Sequence, residues 1–503
     1  MDSAGGVGDG AGLLTGRIGS GPSQIIRAEV LEPQYAYEVR HLLTYYVSIE
    51  KVFVLEYLRM GLMSPGQGAE IAALLDIASG AVTHADPAAT MSDIAFALEQ
   101  HVQRGLVEPV PAWHVDRSRN DFQACAQLMF LKGSTLEVAV DLLGLWRAVH
   151  SLAKRHLHDP MPGYTHFQAA QIISPGFTLA AFGEELLHST LRLAATHDLI
   201  DAAPLGAGAM AGQELPWDRH RMARLLGFSR VQESALTSVA SRRAAAEVTA
   251  ELSLLGAAIS RYMTDMLTWG SSDCDYIDLP DDLSGISSAM PQKKNFPVLE
   301  RIRGRSAHLT AFHIDVLLGQ RNTPYANLVE VSKEAGAHVA DAVGTARSML
   351  RLLTLVMSNL IFRTGRMRAS CERDFFGGFT LANRLTLDHG VPWRQAQIIV
   401  GDYIRAALAH ELKPQCVAPE LLHAAAADHG FTLGDVEQAL RESFDVDYAL
   451  LVKKTSGSTN PGAVAELLRG QEAACLELDN KLVAARERTA AAIAGIDREL
   501  TGS

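Results

Sequence analysis

Residues 284–297 read Ser284-Gly-Ile-Ser-Ser-Ala-Met-Pro-Gln-Lys-Lys-Asn-Phe-Pro297. Two adjacent hydroxyls, two adjacent cations and an amide are packed into one short glycine-containing segment. Asp281, Asp282 and Gly285 make its front a poor helix, so it reads as a loop. Pro297 suits the first turn of a following helix, whose free N–H groups favour anions. This set is suited to removing a weakly acidic C–H beside a carboxylate. Ser287 and Ser288 can supply the base. Lys293, Lys294 and Asn295 can hold the carboxylate as charge builds on it.

Working outward, the helix period dominates. Between Phe122 and His158 there is no proline, and Leu128, Leu131, Leu136, Val140, Leu143 and Trp146 recur at three- and four-residue spacing. Pro175–Ile200, Arg242–Gly270, Pro297–Arg321 and Ser332–Phe362 read the same way. These lengths exceed the average globular helix and predict a long bundle. Arg243–Ala258 is apolar on more than one face, as in a buried helix. So many such faces predict association of subunits. Shorter helices are expected at 36–60, 65–79, 91–104 and 391–408, with another at 471–493. The expected division is a flexible tail over 1–23, an N-terminal helical domain over 24–118, a central bundle over 119–363 and a C-terminal helical domain over 364–503.

The chain has 503 residues, with 48% hydrophobic and 20% charged residues and a net charge of −12. That fits a globular protein and argues against a nucleic-acid partner. Any anion site must be built locally against the global charge. The five cysteines are scattered, without a Cys-x-x-Cys pair, so neither zinc nor a disulfide framework is indicated. Reduced thiols in a cytoplasmic protein are the expectation. The run Leu352–Phe362 is too short to span a bilayer, and residues 1–23 lack a signal-peptide pattern. No membrane partner is expected.

Two further segments carry chemistry. Residues 114–121 read His-Val-Asp-Arg-Ser-Arg-Asn-Asp. Arg119 and Asn120 fall in a first helical turn, where an arginine opposes the dipole preference and a bound anion explains it. Residues 162–171 read Pro-Gly-Tyr-Thr-His-Phe-Gln-Ala-Ala-Gln, bringing the Thr165 hydroxyl and the titratable His166 to another helix start.

In order, the three segments are similar to the three signature regions of the fumarase/aspartase superfamily, in its argininosuccinate lyase branch. Pro204–Gly212, Asp374–Gly401 and Lys453–Pro461 also resemble that family, so the likeness runs from about residue 30 to 495. The resemblance implies an all-α fumarase/aspartase fold, with a long central helical bundle assembled into a twenty-helix tetramer core. It implies active sites shared between three subunits and no metal or cofactor. Ser288 would be the base that takes the C–H proton. Lys294 and Asn295 would stabilise the carbanion's carboxylate, and Ser287 would line the same loop. Thr165, Ser118, Arg119 and Asn120 would hold the succinyl carboxylates. His166, steered by Glu300, would deliver a proton to the departing amine.

The departures from the family pattern fall mainly on the amine half. Tyr325 and Lys333 keep it, but a family glutamine is Glu330, a new charge beside Lys333 with which it can pair. A family Ser-x-x-x-Asp pair aligns with Gln34 and Glu38. Asp93 and Glu99 keep an acidic pattern, while a family histidine is Ala95. His-Thr-Gly has become His114-Val115-Asp116, and the loop's closing proline is Phe296. The pattern implies elimination of fumarate from an N-substituted aspartate other than argininosuccinate, for example an aminocarboxylate of the ethylenediamine-disuccinate type. Argininosuccinate lyase itself is the alternative. A crystallin-like structural role is a third, disfavoured by the retained Ser288, His166, Lys294 and Asn295.

Overall fold

The computed structural model describes residues 20–89, 91 and 93–501. The tail expected over 1–23 lies outside them up to residue 19.

Five long helices form the centre: α2 (Arg119–Arg155), α3 (Pro175–Ile200), α4 (Arg243–Trp269), α5 (Pro297–Gln320) and α6 (Val339–Asn359). Their starts follow local chemistry. Ser118 and Ser174 cap α2 and α3 with their hydroxyls, and Pro175 and Pro297 open α3 and α5. The apolar stripe of α2 is buried along most of its length, with Leu142, Leu143, Leu145 and Val149 fully enclosed against α3 and α6. Burial of such side chains stabilises by roughly 1.5–3 kcal/mol each. Helices α4 and α5 approach closely at Gly256, where a Cβ would lie 2.6 Å from the Ser306 carbonyl oxygen.

The expected 65–79 helix is interrupted at Ile77, the expected 91–104 helix begins at Ile94, and three further helices depart more from their expected bounds. The stretch at 36–60 is two helices, Glu32–His41 and α1 (Leu43–Arg59), because Leu42 leaves helical geometry. Helix α6 begins at Val339 rather than Ser332, since Lys333 breaks the run and 334–336 form a 3-10 turn. At its far end Ile361–Phe362 pair with Ile277–Asp278 instead of continuing the helix. The last helix, α8 (Pro461–Thr501), is far longer than 471–493. Its Val464, Leu468, Leu478 and Leu482 are buried with α2 and α3, and its Ile496 joins the N-terminal core around α1. Residues after 364 therefore divide. The segment 381–444, including α7 (Trp393–Ala409), has its own small core, whereas α8 returns to the bundle.

Among the described residues strands occur only as three two-stranded pairs. One is a hairpin of β1 (Met161–Thr165) and β2 (Gln168–Ile173). No helix of the described residues is long and apolar enough to cross a membrane. All five cysteines are free. Cys125, Cys371 and Cys475 are buried, and Cys416 is exposed.

Candidate active site

The 284–297 segment is a loop that leaves the fold and returns to it. Its neck is a reciprocal pair of bonds, Gly285 N–H to Asn295 O at 2.8 Å and Asn295 N–H to Gly285 O at 2.9 Å. The Asn295 side chain reinforces the neck by donating to Ile286 O at 3.2 Å. Beyond it Ile286 is 93% exposed and Ser288 is exposed. The Ser288 hydroxyl makes no hydrogen bond among the described residues. Ser287 instead accepts the Met290 N–H at 3.1 Å and shapes the turn. Pinned ends with an open tip give a lid geometry.

Lys294 lies at the base of this lid. Its ammonium contacts Asp278 and Asp281, each at 3.0 Å, and donates to Leu279 O at 2.6 Å. Asp281 and then Asp278 raise the Lys294 pKa. Burial works against the Asp278 charge, yet Lys294, the Leu279 N–H and Arg363 hold its carboxyl below the usual range. Lys294 is thus a fixed cation whose present partners are carboxylates of its own chain.

Thr165 and His166 sit at the tip of the β1–β2 hairpin. The register pairs Thr165 with Gln168, so His166-Phe167 is a two-residue loop with φ of 53° and 60°. Such turns favour Asn-Gly, and two bulky residues there are strained. The strain is not repaid by packing, since Phe167 is 85% exposed. Just behind the tip, Tyr164 and Tyr276 join their hydroxyls at 2.9 Å.

The 114–121 segment is anchored from behind. Arg117 is buried on Glu50 by two bonds of 2.7 and 2.8 Å, its guanidinium 4.1 Å over the Phe53 ring. His114 is wedged beside it, 3.4 Å from Glu99. Burial first, and the Arg117 charge second, push its pKa well below the ordinary imidazole value. Asp116 stands where the family has glycine and keeps a positive φ of 56°. It accepts bonds from Glu214 N–H, Leu215 N–H and the Trp217 indole, tying this segment to the 204–217 turn. In front, Ser118 caps α2 through the Asn120 N–H at 3.2 Å, which leaves its own O–H to donate. Arg119 reaches outward to Asp93 at 3.1 Å, over the Phe96 ring. The anion expected at Arg119 is supplied here by that side chain.

The residues expected to meet the amine half assemble in an unforeseen way. Lys333 pairs with Glu38, not with Glu330 as expected. The break at Lys333 turns its side chain back toward the N-terminal helix Glu32–His41, 295 residues away in sequence. Gln34 also donates to Glu38 at 3.2 Å. Glu38 is 2% exposed, and its second oxygen has no hydrogen-bond partner among the described residues. Burial raises its pKa and Lys333 opposes that rise. Gln34, Tyr37, Glu38, Gln127 and Lys333 line one cavity of about 310 Å³. Glu330 stays exposed, and Tyr325 donates to Thr237 at 3.4 Å.

Within one chain these groups stand apart. Among the described residues no hydrogen bond or ion pair joins His166 to Ser288, to Glu300 or to the Arg119 segment. Glu300 is exposed in the first turn of α5. Asp121 was missed by sequence reasoning, although its place directly after Arg119-Asn120 was a usable signal.

Comparison with known proteins gives a consistent picture. Residues 79–310 match a family model described as lyase. The argininosuccinate lyase of Moorella thermoacetica is 33% identical over 350 residues, covering 69% of this chain and 74% of the relative. That of Thermus thermophilus is 31% identical over 384 residues, covering 75% and 80%. An EDDS lyase in complex with formate shares the fold, with a TM-score of 0.85 at 23% identity over 94% of this chain and 95% of that one. A class II fumarase from Schistosoma mansoni does so at 0.64, with 15% identity over 82% and 90%.

Proposed function

Since this chain belongs to the fumarase/aspartase superfamily, on its argininosuccinate lyase branch, and is a carbon–nitrogen lyase, we propose the following reaction. It eliminates an amine from an N-substituted aspartate and releases fumarate, with Ser288 as the base. The observation that carries the Ser288 assignment is the lid. A serine at the open tip of a loop pinned at its neck, with a paired lysine at the loop's base, is accessible to a substrate.

The Ser288 oxygen, entering as the alkoxide and leaving as the hydroxyl, takes the proton from the carbon adjacent to the distal carboxylate. The electron pair moves into that carboxylate, which Lys294 and Asn295 stabilise after Lys294 exchanges Asp281 for it. The C–N bond then breaks, the carbon–carbon double bond forms, and the nitrogen receives a proton from His166. Ser118, Arg119, Asn120, Thr165 and Ser287 hold the succinyl carboxylates. Glu300 steers His166 once the segments are gathered.

Gathering them is the work of a homotetramer. The exposed hairpin tip and lid support this. So do Leu191 and Leu199 on α3, Leu254 on α4 and Ile314, Leu317 and Leu318 on α5, all left uncovered by one chain.

The amine is an aminocarboxylate of ethylenediamine-disuccinate type rather than arginine. Lys333 is neutralised by Glu38, so it is a poor receptor for arginine's carboxylate. Glu330 and the unpartnered Glu38 oxygen are both suited to an ammonium. Incubating the enzyme with fumarate and a panel of diamines and aminocarboxylates, while following loss of fumarate absorbance, tests this. Addition of such an amine with weak cleavage of argininosuccinate is expected, and Glu330→Gln should slow it. Efficient cleavage of argininosuccinate with no amine addition would instead establish the alternative, argininosuccinate lyase.

A further inference from the structure

We propose that Asp121 is a positioning residue that locks the glycine-rich turn 204–212, so that the turn orients the Asn120 amide for a substrate carboxylate. The inference rests on the reading of Asn120 given above.

Asp121 follows Asn120 in the first turn of α2 and is fully buried. One carboxylate oxygen accepts two main-chain bonds, from Gly206 N–H at 2.9 Å and Gly208 N–H at 3.1 Å. Both glycines have positive φ, 84° and 63°. A Cβ on Gly206 would meet Arg219 Cγ at 2.7 Å, and one on Gly208 would meet Gly212 O at 2.6 Å. The turn therefore has one shape, and that shape delivers two N–H groups to one acid. It is closed by Gly212 N–H on Ala207 O at 3.0 Å and braced by Arg219 on Leu205 O at 3.1 Å.

The turn acts back on the site through Ala209. Its carbonyl accepts Asn120 Nδ2 at 3.0 Å. An amide nitrogen carries two hydrogens. Spending one on Ala209 fixes the amide plane and leaves the other to a ligand. Asp121 thus sets a neighbouring side chain through a segment 85 residues away.

Stability alone does not account for an acid here. Its second oxygen is buried without a hydrogen-bond partner among the described residues, which is costly. Burial pushes its carboxyl up to about 6, opposed by the two glycine N–H groups and by Arg117. The groups facing it are Arg117, Arg219 and the Cys125 thiol one turn on. Above that pH it is a charged acceptor with stronger bonds than a neutral amide offers.

The test is calorimetric titration of the assembled enzyme with fumarate. Asp121→Asn should bind fumarate about tenfold more weakly, the scale of one misplaced charge-assisted bond, while melting within a few degrees of the parent. The gap between parent and variant affinity should narrow as pH falls from 7.5 to 5.5, where the parent also loses the charge. Gly208→Ala should weaken binding similarly from the other side of the contact, and carries the test if Asp121→Asn does not fold. Asn120→Ala should itself weaken binding, and Asn120→Ala/Asp121→Asn should lose no more than Asn120→Ala alone. If Asn120→Ala binds normally, the reading of Asn120 fails and takes this inference with it. If Asn120→Ala binds weakly while Asp121→Asn and Gly208→Ala stay within twofold of the parent, or if the losses add, this inference alone is overturned.

Discussion

Replacing Glu50 by glutamine should be among the most damaging single changes outside the lid. Glu50 is wholly buried on α1, and the Arg117 side chain is 4% exposed. The two share a pair of bonds at 2.7 and 2.8 Å, and the guanidinium is enclosed by the Phe53, Phe122 and Trp113 rings. Burial lowers the Arg117 pKa, and Glu50, with smaller help from Tyr57 and Glu99, more than offsets this. Glutamine keeps the shape but removes the charge and turns an amide N–H₂ toward the cation. Leaving a buried cation uncompensated costs about 3–5 kcal/mol. An exposed pair would cost about 0–1 kcal/mol, so the two cases are separable. Urea unfolding at fixed protein concentration, followed by tryptophan fluorescence, gives the number. The double variant Glu50→Gln/Arg117→Met should recover part of the loss, because it removes the stranded charge. Arg117 lies two residues before Arg119, so fumarate affinity should fall in Glu50→Gln as well. A loss under about 1 kcal/mol, or a double variant worse than the sum of the singles, would refute the view that this buried pair anchors the site segment.

Ser288→Ala should lower turnover by about 10²–10⁴ while fumarate affinity is kept; activity within a few-fold of the parent removes Ser288 from the base role. Mixing inactive Ser288→Ala and His166→Ala chains under subunit exchange should restore part of the activity, and a fully active monomer in solution scattering would end the shared-site proposal. His114 gives a pH signature. Its folded pKa is depressed, so the unfolded chain binds the extra proton, and stability should fall as pH drops below about 6.5. The slope is at most about 1.4 kcal/mol per pH unit. His114→Gln should flatten that part of the stability curve, and an unchanged curve would show that His114 does not titrate on unfolding.

What the sequence determined by itself is what depends on neighbours along the chain. The apolar period of residues 122–158 produces α2, because side chains three and four apart share a face whatever lies opposite. The hydroxyls and cations of 284–297 lie within one loop because they are adjacent in sequence. The family likeness fixed their roles as expectations for the same reason. The tertiary structure decided the partners. Lys333 has Glu330 three residues away, yet it turns to Glu38 across 295 positions, since the helix breaks at Lys333 and the carboxylate is buried in the adjoining cavity. Helix α8 returns from the C-terminal segment to the bundle because its apolar stripe fits a groove made by α2 and α3, which no local pattern describes. Asp121 looks like a helix-opening acid in the sequence and becomes the anchor of a glycine turn only when Gly206 and Gly208 are folded onto it. Local periodicity is written in short stretches of side chains. The choice of a buried charge's partner is a contest among distant segments, settled by which of them excludes water from it.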